Sequence, residues 1–176
     1  MKLTKLSFLF SISLVLASVL LAFGQSDFDN KNVEYTFTLP SDNWKMIVEP
    51  SDISPNVEFV YNYKKDGHLE IRKIEIEAKT LFGELIEKEE GSLLFLPSYV
   101  AGKEENFQGN YSGRIFNYEY ASAGRAKGGR YYFLKTDDTT VYILKFTGLK
   151  DSLRSIRNET DSIARTFKIK EKTTKK

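Results

Sequence analysis

The sequence predicts an α+β fold: an antiparallel β-sheet of six to eight strands with helices packed on its faces, an α-β-α sandwich. Three observations carry this expectation. From Tyr35 onward, short runs of residues alternate apolar and polar with period two, the spacing of strands that bury one face. Residues 80–96, and again the stretch from Leu149 to Phe167, change to helical spacing. The order is four strands, a helical region, three or four strands and a last helix. Such grouping favours an antiparallel sheet over the one-for-one alternation of a parallel one.

Ahead of the fold, Lys2 and Lys5 precede an apolar run from Leu6 to Phe23. Ala22-Phe23-Gly24 places small residues at the positions a signal peptidase inspects, so residues 1–24 read as an export signal cleaved before Gln25. At 18 residues the run also reaches the lower limit of a membrane-spanning helix, and an uncleaved anchor is the alternative. Lys2 and Lys5 stay inside by the positive-inside tendency, which puts the rest of the chain outside in both cases. Localisation is therefore expected to be periplasmic or extracellular, with no stable span once the signal is removed. The chain has no cysteine. That excludes disulfides, a thiolate nucleophile, Cys-ligated metal and a lipid attached through a signal-linked thiol.

The elements follow in order. Residues 25–34 are polar and acidic, a tether. Tyr35, Phe37 and Leu39 alternate with Thr36 and Thr38 until Pro40-Ser41-Asp42-Asn43 breaks the strand. Trp44, Met46 and Val48 continue the alternation up to Pro50 and Pro55, and Val57, Phe59, Tyr61 and Tyr63 form a third strand ending in an Asp66-Gly67 hairpin turn. In the fourth strand Leu69 and Ile71 have one parity, Ile74 and Ile76 the other. A period of two cannot put all four on one face, so either a β-bulge sits near Arg72-Lys73 or both faces are buried. Phe82, Ile86, Leu93 and Leu96 form one helical stripe that Pro97 ends, with Gly83 and Gly91 each weakening the helix by about 1 kcal/mol and allowing two shorter pieces. Strands over 103–109, 112–121, 130–136 and 140–147 come next. From Asp151 a terminal helix buries Leu153, Ile156, Ile163 and Phe167 in line with Leu149, and turns Arg154, Arg157 and Arg165 outwards. One domain thus covers 35–168, and a basic disordered tail, 169–176, follows it.

Charge removes one function class. Without residues 1–24, which carry two lysines and no acid, the formal net charge falls from +2 to 0. A neutral surface does not suit nucleic acid, whose binding rests on neutralised phosphates. Ten Phe, ten Tyr and Trp44 remain, enough large rings to dominate the area folding removes from water.

Catalytic groups are sparse. His68 is the only histidine and follows the Asp66-Gly67 turn, so it reads as an exposed hairpin residue. No Gly-x-Ser-x-Gly nucleophile turn is present. Glu87, Glu89 and Glu90 crowd one helix as a solvated acidic face, whereas glycoside hydrolysis needs carboxyls facing each other across a cleft. Neither a cofactor nor a metal site is expected. The segment Gly124-Arg125-Ala126-Lys127-Gly128-Gly129-Arg130 sets three cations on a glycine-rich hairpin without the Gly-Lys-Ser/Thr ending of a P-loop. Arg125, Lys127 and Arg130 are accordingly the candidate partner-contact residues. Phe116, Tyr118 and Tyr120 with Tyr131, Tyr132 and Phe133 either line an apolar pocket or pair across strands, and the adjacent Tyr131 and Tyr132 must point to opposite faces.

Tyr35-Thr36-Phe37-Thr38-Leu39-Pro40, the Trp44 after it, Tyr142-Ile143-Leu144-Lys145-Phe146 and Ile163-Ala164-Arg165-Thr166-Phe167 together resemble the PsbP-like family. The match covers about residues 33–168 and consists of core and turn residues. The namesake is an extrinsic subunit of photosystem II, a nuclear-import factor shares the fold, and many exported bacterial members have no assigned role. The resemblance implies an α-β-α sandwich that acts by binding a larger partner, mostly without catalysis. It carries no functional residue over to this chain. The expectation is therefore an exported, non-catalytic module contacting a protein or cell-envelope component. The alternative is a carrier of a small apolar ligand between sheet and helix, and a carboxylate-dependent hydrolase ranks last.

Overall fold

A computed structural model describes residues 24–62 and 67–171; the expected export segment therefore lies outside the described residues. Among the described residues ten strands and three helices follow one another as β1 (Ser26–Asp29), β2 (Tyr35–Leu39), β3 (Trp44–Val48), β4 (Val57–Tyr61), β5 (Gly67–Glu75), α1 (Phe82–Leu93), β6 (Val100–Gln108), β7 (Ser112–Ser122), β8 (Arg125–Lys135), β9 (Thr140–Leu149), α2 (Lys150–Ser155), α3 (Arg157–Thr166) and β10 (Lys168–Ile169). Seven strands make one sheet in the order β3-β4-β5-β9-β8-β7-β6, and β1-β2-β10 make a second. All pairings are antiparallel. The α+β expectation holds. No helix among the described residues is long and apolar enough to cross a membrane.

The large sheet is buried on both faces. On one, Leu69, Tyr132, Leu144 and Phe146 pack against Phe37 of the small sheet, Ile163 of α3 and Phe167. On the other, Tyr118, Tyr131, Phe133 and Ile143 lie beneath Leu85, Ile86 and Leu93 of α1. The four consecutive residues Tyr131 to Leu134 are all fully buried, which strand alternation permits only when both faces are covered. The same double burial explains the parity change in β5. Its register with β9 runs without a slip from Gly67↔Gly148 to Glu75↔Thr140. Leu69 and Ile71 belong to one core while Ile74 and Ile76 pack on the other, so there is no bulge at Arg72-Lys73.

Both ends of the domain extend beyond the predicted limits. The expected tether contains β1, whose Phe28 is buried and stacks on Phe37 with ring centroids 4.8 Å apart. One apolar residue in four is too little alternation to read as a strand. At the other end β10 pairs with β2, and the Lys170 amide donates to the Glu34 carbonyl at 2.8 Å. The basic tail is thus ordered at its start, and 172–176 lie outside the described residues. Helix α1 is continuous through Gly83 and Gly91. The terminal helix instead breaks at Ile156 (φ −97°, ψ 14°), whose side chain is buried in the first core, before the helix restarts as α3.

Strand β8 begins five residues earlier than predicted because Gly128 and Gly129 lie inside it, not in a loop. A two-residue turn, Ala123-Gly124, makes the hairpin, with φ of 50° and 72°, the left-handed pair that suits the twist of two adjoining strands. At Gly129 a Cβ would stand 2.1 Å from the Tyr118 ring, so the ring occupies the space a side chain would need. Gly129→Ala is expected to lower stability by about 1–3 kcal/mol through this overpacking, read as a lower denaturant midpoint with an unchanged slope.

Glu34 joins the two sheets: its Oε1 accepts from Lys73 Nζ at 2.7 Å and from the Tyr142 hydroxyl at 2.5 Å. The Lys73 ammonium and then the Tyr142 hydroxyl hold its carboxyl below the ordinary value of 4.5. A lowered folded-state pKa contributes stability that is present above the unfolded value and lost as pH falls through the folded one. Glu34→Gln is therefore expected to be less stable at neutral pH and to lose less stability below pH 4.5 than the wild type, in urea melts at several pH values.

Candidate functional site

On the face of the large sheet that carries α2 and α3, a cleft of about 430 Å³ opens beside strand β6. Its floor follows from strand register. Asn117 pairs with Arg130 and Glu119 with Gly128, and period two turns all four positions to the same side. Helix α2 packs over Gly128, where a Cβ would lie 3.7 Å from Leu153 Cδ1, an ordinary contact. Lys150, Leu153, Arg154 and Arg157 form the helical wall, and Val100 to Gly102 form the rim. Gly102 is required at that rim, where a Cβ would meet the Asn117 carbonyl oxygen at 2.6 Å. A register shift in β6 between Ala101 and Glu104 accompanies this close approach.

Arg130 lies at the bottom and is 7% exposed. Its guanidinium donates from Nε to the Tyr132 hydroxyl at 2.6 Å, from Nη1 to Asn117 Oδ1 at 2.8 Å and from Nη2 to Asp161 Oδ1 at 2.9 Å. The Tyr132 hydroxyl bonds Asp161 as well, and lies 2.9 Å from Thr160 Oγ1. Burial works against the charge, but Tyr132 and Asp161 more than offset it, and the Arg130 pKa is raised. A buried cation needs this set of partners to exist in the folded state.

The wall is braced in the same way. Arg157 Nη2 pairs with Glu105 Oε2 at 3.0 Å and Lys150 Nζ with Glu119 Oε2 at 2.6 Å. Arg154 is exposed and, among the described residues, has no ion-pair partner. The cleft thus holds three matched cations and one unmatched cation, beside the apolar Leu153 and Val100. Such an arrangement can accept an acidic group with an apolar flank.

The three predicted contact residues are not brought together. Arg130 is no hairpin-tip residue; it is buried mid-strand and faces the cleft. Arg125 directly follows the turn and is exposed, and Lys127 is half-buried. By alternation both share the opposite face, with Tyr131. His68 is also misplaced by the sequence reading: it sits within β5, half-buried, its Nε2 2.7 Å from Glu58 Oε2, and does not line the cleft. Of the acidic group on α1, Glu89 pairs with Arg72 at 2.6 Å and Glu90 accepts from the Tyr99 hydroxyl at 2.8 Å, so only Glu87 is simply exposed. Among the described residues no three His, Cys, Asp or Glu side chains are grouped to hold a metal ion. Asn117, Asp161, Lys150 and Glu105 were missed as site residues. No local motif marks them, because strand register and the packing of α2 and α3 bring them to Arg130.

The clustered aromatics fill space against each other. Tyr118 and Tyr131 meet edge to face with centroids 5.5 Å apart, and Phe116 adjoins both. Burial pushes the Tyr118 hydroxyl pKa up to about 12. Tyr131 and Tyr132 face opposite cores, as alternation requires.

Compared with known proteins, the chain matches no family model and no curated protein. It does match solved structures. LpqN of Mycobacterium tuberculosis, described as involved in cell envelope biogenesis, has a TM-score of 0.57 at 16% identity, over 83% of this chain and 91% of LpqN. The cyanobacterial PsbP (CyanoP) of Synechocystis has a TM-score of 0.55 at 14% identity, over 83% of this chain and 92% of that one. A Bacteroides thetaiotaomicron protein gives 0.55 at 15% identity, over 87% of this chain but only 51% of the longer protein. The chain therefore has a PsbP-like fold.

Removing one partner of the buried cluster tests its energetics. Arg130→Ala leaves Asp161 uncompensated and is expected to cost about 3–5 kcal/mol. Tyr132→Phe loses neutral and charge-assisted bonds worth about 1–3 kcal/mol. In a double-mutant cycle the two effects should add to less than their sum, since both report on Asp161.

Proposed function

We propose that this chain is an exported, non-catalytic binding module that holds an acidic group of a protein or cell-envelope partner in the α2–α3 cleft. The observation that carries this reading is Arg154, a cation without an ion-pair partner among the described residues, on a wall whose other cations are fixed by Glu105 and Glu119. The braces on Lys150 and Arg157 hold the helix that carries Arg154, so only the Arg154 side chain itself has to be ordered when a partner binds. Export rests on the apolar run behind Lys2 and Lys5, and the fold shared with an envelope-biogenesis protein is in keeping with it. The non-catalytic reading is supported by the engagement of the site carboxylates Glu105, Glu119 and Asp161 with cations, which leaves none placed to transfer a proton. The carrier reading is weaker because the rings it would use pack on one another. The hydrolase reading finds no support in Glu87, Glu89 and Glu90, which lie along one helix.

Arg154→Glu, an exposed change outside both cores, is expected to reduce partner recovery from envelope extract by about tenfold or more, since a lost charge-assisted bond is worth about 1.5–3 kcal/mol. Asp138→Lys, at the far end of the sheet, should leave recovery unchanged. Equal recovery of every partner by wild type and Arg154→Glu would remove the cleft as the contact site.

A further inference from the structure

We propose that the end of the large sheet formed by the β7–β8 turn and the α1–β6 connection docks on an anionic lipid bilayer. The residues proposed to meet the bilayer, Leu94, Phe95, Arg125 and Lys127, do not line the cleft, although both lie toward the same end of the sheet.

The α1–β6 connection presents apolar side chains in a fixed geometry. Phe95 is 89% and Leu94 62% exposed, although their neighbours Leu93 and Leu96 pack on the second core. The backbone holds this arrangement. The Leu96 amide donates to the Leu93 carbonyl at 2.9 Å, the Tyr99 amide to the Leu96 carbonyl at 3.2 Å, and the Ala121 amide to the Pro97 carbonyl at 2.8 Å. The last bond ties the connection to the β7–β8 hairpin. Phe95 therefore cannot turn inwards with Leu93 and Leu96, and its exposure is built into the loop.

Two cations lie on the strand that leaves the hairpin turn tied down by this bond. Arg125 and Lys127 occupy the same face of β8, on the α1 side, and neither has an ion-pair partner among the described residues. The one acid in the last turn of α1, Glu90, is engaged by the Tyr99 hydroxyl. An exposed ring and an aliphatic side chain beside unmatched cations suit an apolar interior beneath an anionic headgroup layer.

The position of the N-terminus is in keeping with a bilayer as the partner. One row of paired residues crosses all seven strands at this end: Trp44, Tyr61, Gly67, Gly148, Gly128, Glu119 and Val100. The short Pro40–Asn43 turn joins Trp44 to Leu39, and Leu39 pairs with Ser26. The chain thus enters the domain at the end that carries Phe95 and Arg125. Only Gly24 and Gln25 separate Ser26 from the apolar run Leu6 to Phe23. In the uncleaved alternative so short a link would hold this end at the membrane surface; with the signal cleaved, the exposed ring and the unmatched cations alone carry the docking.

The test uses the full chain reconstituted in vesicles of phosphatidylcholine with brominated acyl chains, with and without phosphatidylglycerol. Phe95→Trp places a reporter at the proposed surface and Asp138→Trp places one at the opposite end, with the buried Trp44 common to both. Bromine quenching is expected for the reporter at 95 and not at 138. It should be stronger with phosphatidylglycerol, weaken as salt is added, and be mostly lost in Arg125→Glu/Lys127→Glu. No quenching at 95, equal quenching at both positions, or quenching insensitive to phosphatidylglycerol, salt and the charge reversal would overturn the proposal. None of these outcomes bears on Arg154, so the cleft reading stands or falls separately.

Discussion

Arg130 is the constraint on which the placement of α3 and the cleft beside it depends. A guanidinium inside a sheet is tolerable only if each face of its fork meets a fixed acceptor, because desolvating an ion costs more than one hydrogen bond returns. Asn117 supplies one acceptor from the neighbouring strand and Tyr132 another from its own. The third, Asp161, comes from α3, so the helix has to lie where the carboxylate reaches. A second carboxylate two residues earlier repeats the device. Glu159 accepts from Ser41 Oγ, Trp44 Nε1 and the Tyr61 hydroxyl at 2.8, 2.9 and 3.0 Å. Together the two acids hold α3 against β3, β4 and β8, and the apolar contacts of Ile163 and Phe167 then fill in beneath them. With the helix fixed, α2 lies over Gly128 and the cleft exists.

How much of this was legible in the sequence depended on whether the signal was local. Period-two alternation in Tyr35–Leu39 and Val57–Tyr61 reports a local property, and the strands are there. The parity change between Ile71 and Ile74 raised a real question with two answers, and the sequence could not choose because the choice rests on α1 covering the far face. Gly128-Gly129 misled for a similar reason. Consecutive glycines ordinarily mark a loop, but here both lie in a strand: the Tyr118 ring takes the space beside Gly129 on one face, and Leu153 of α2 lies over Gly128 on the other. Once those glycines are read as a loop, Arg130 becomes a surface cation by implication. Its burial follows from Asp161, 31 residues away, and no spacing rule connects them. The β1 strand escaped notice because its evidence is a single ring, Phe28, which acquires meaning only against Phe37 and Phe59.

The aromatic surplus is accounted for by the two-faced sheet. A sheet with both sides covered must fill two layers, and rings in edge-to-face or offset contact fill them at high density. Tyr35, Tyr142 and Phe167 form one such group and Tyr118, Tyr131 and Phe133 another. Tyrosine is used where a ring must be buried while its hydroxyl reaches an acid, as Tyr142 does at Glu34 and Tyr132 at Asp161. The same residue type therefore packs the core and links the layers.

The edges of the large sheet favour side chains over strand pairing for the proposed recognition. A regular edge strand offers a row of free amides and carbonyls to any extended segment. Both edges here are irregular: β3 slips between Met46 and Val48, and β6 between Ala101 and Glu104. The β6 slip comes where Gly102 approaches the Asn117 carbonyl, beside the same asparagine that receives Arg130. Bending the edge thus does two things at once. It interrupts the template for strand addition, and it places Val100 and Ala101 along the rim of the cleft. Under the proposed function, a partner arriving at this side would meet a shaped, charged recess in place of an open ladder, and the chemistry around Arg154 would distinguish one partner from another.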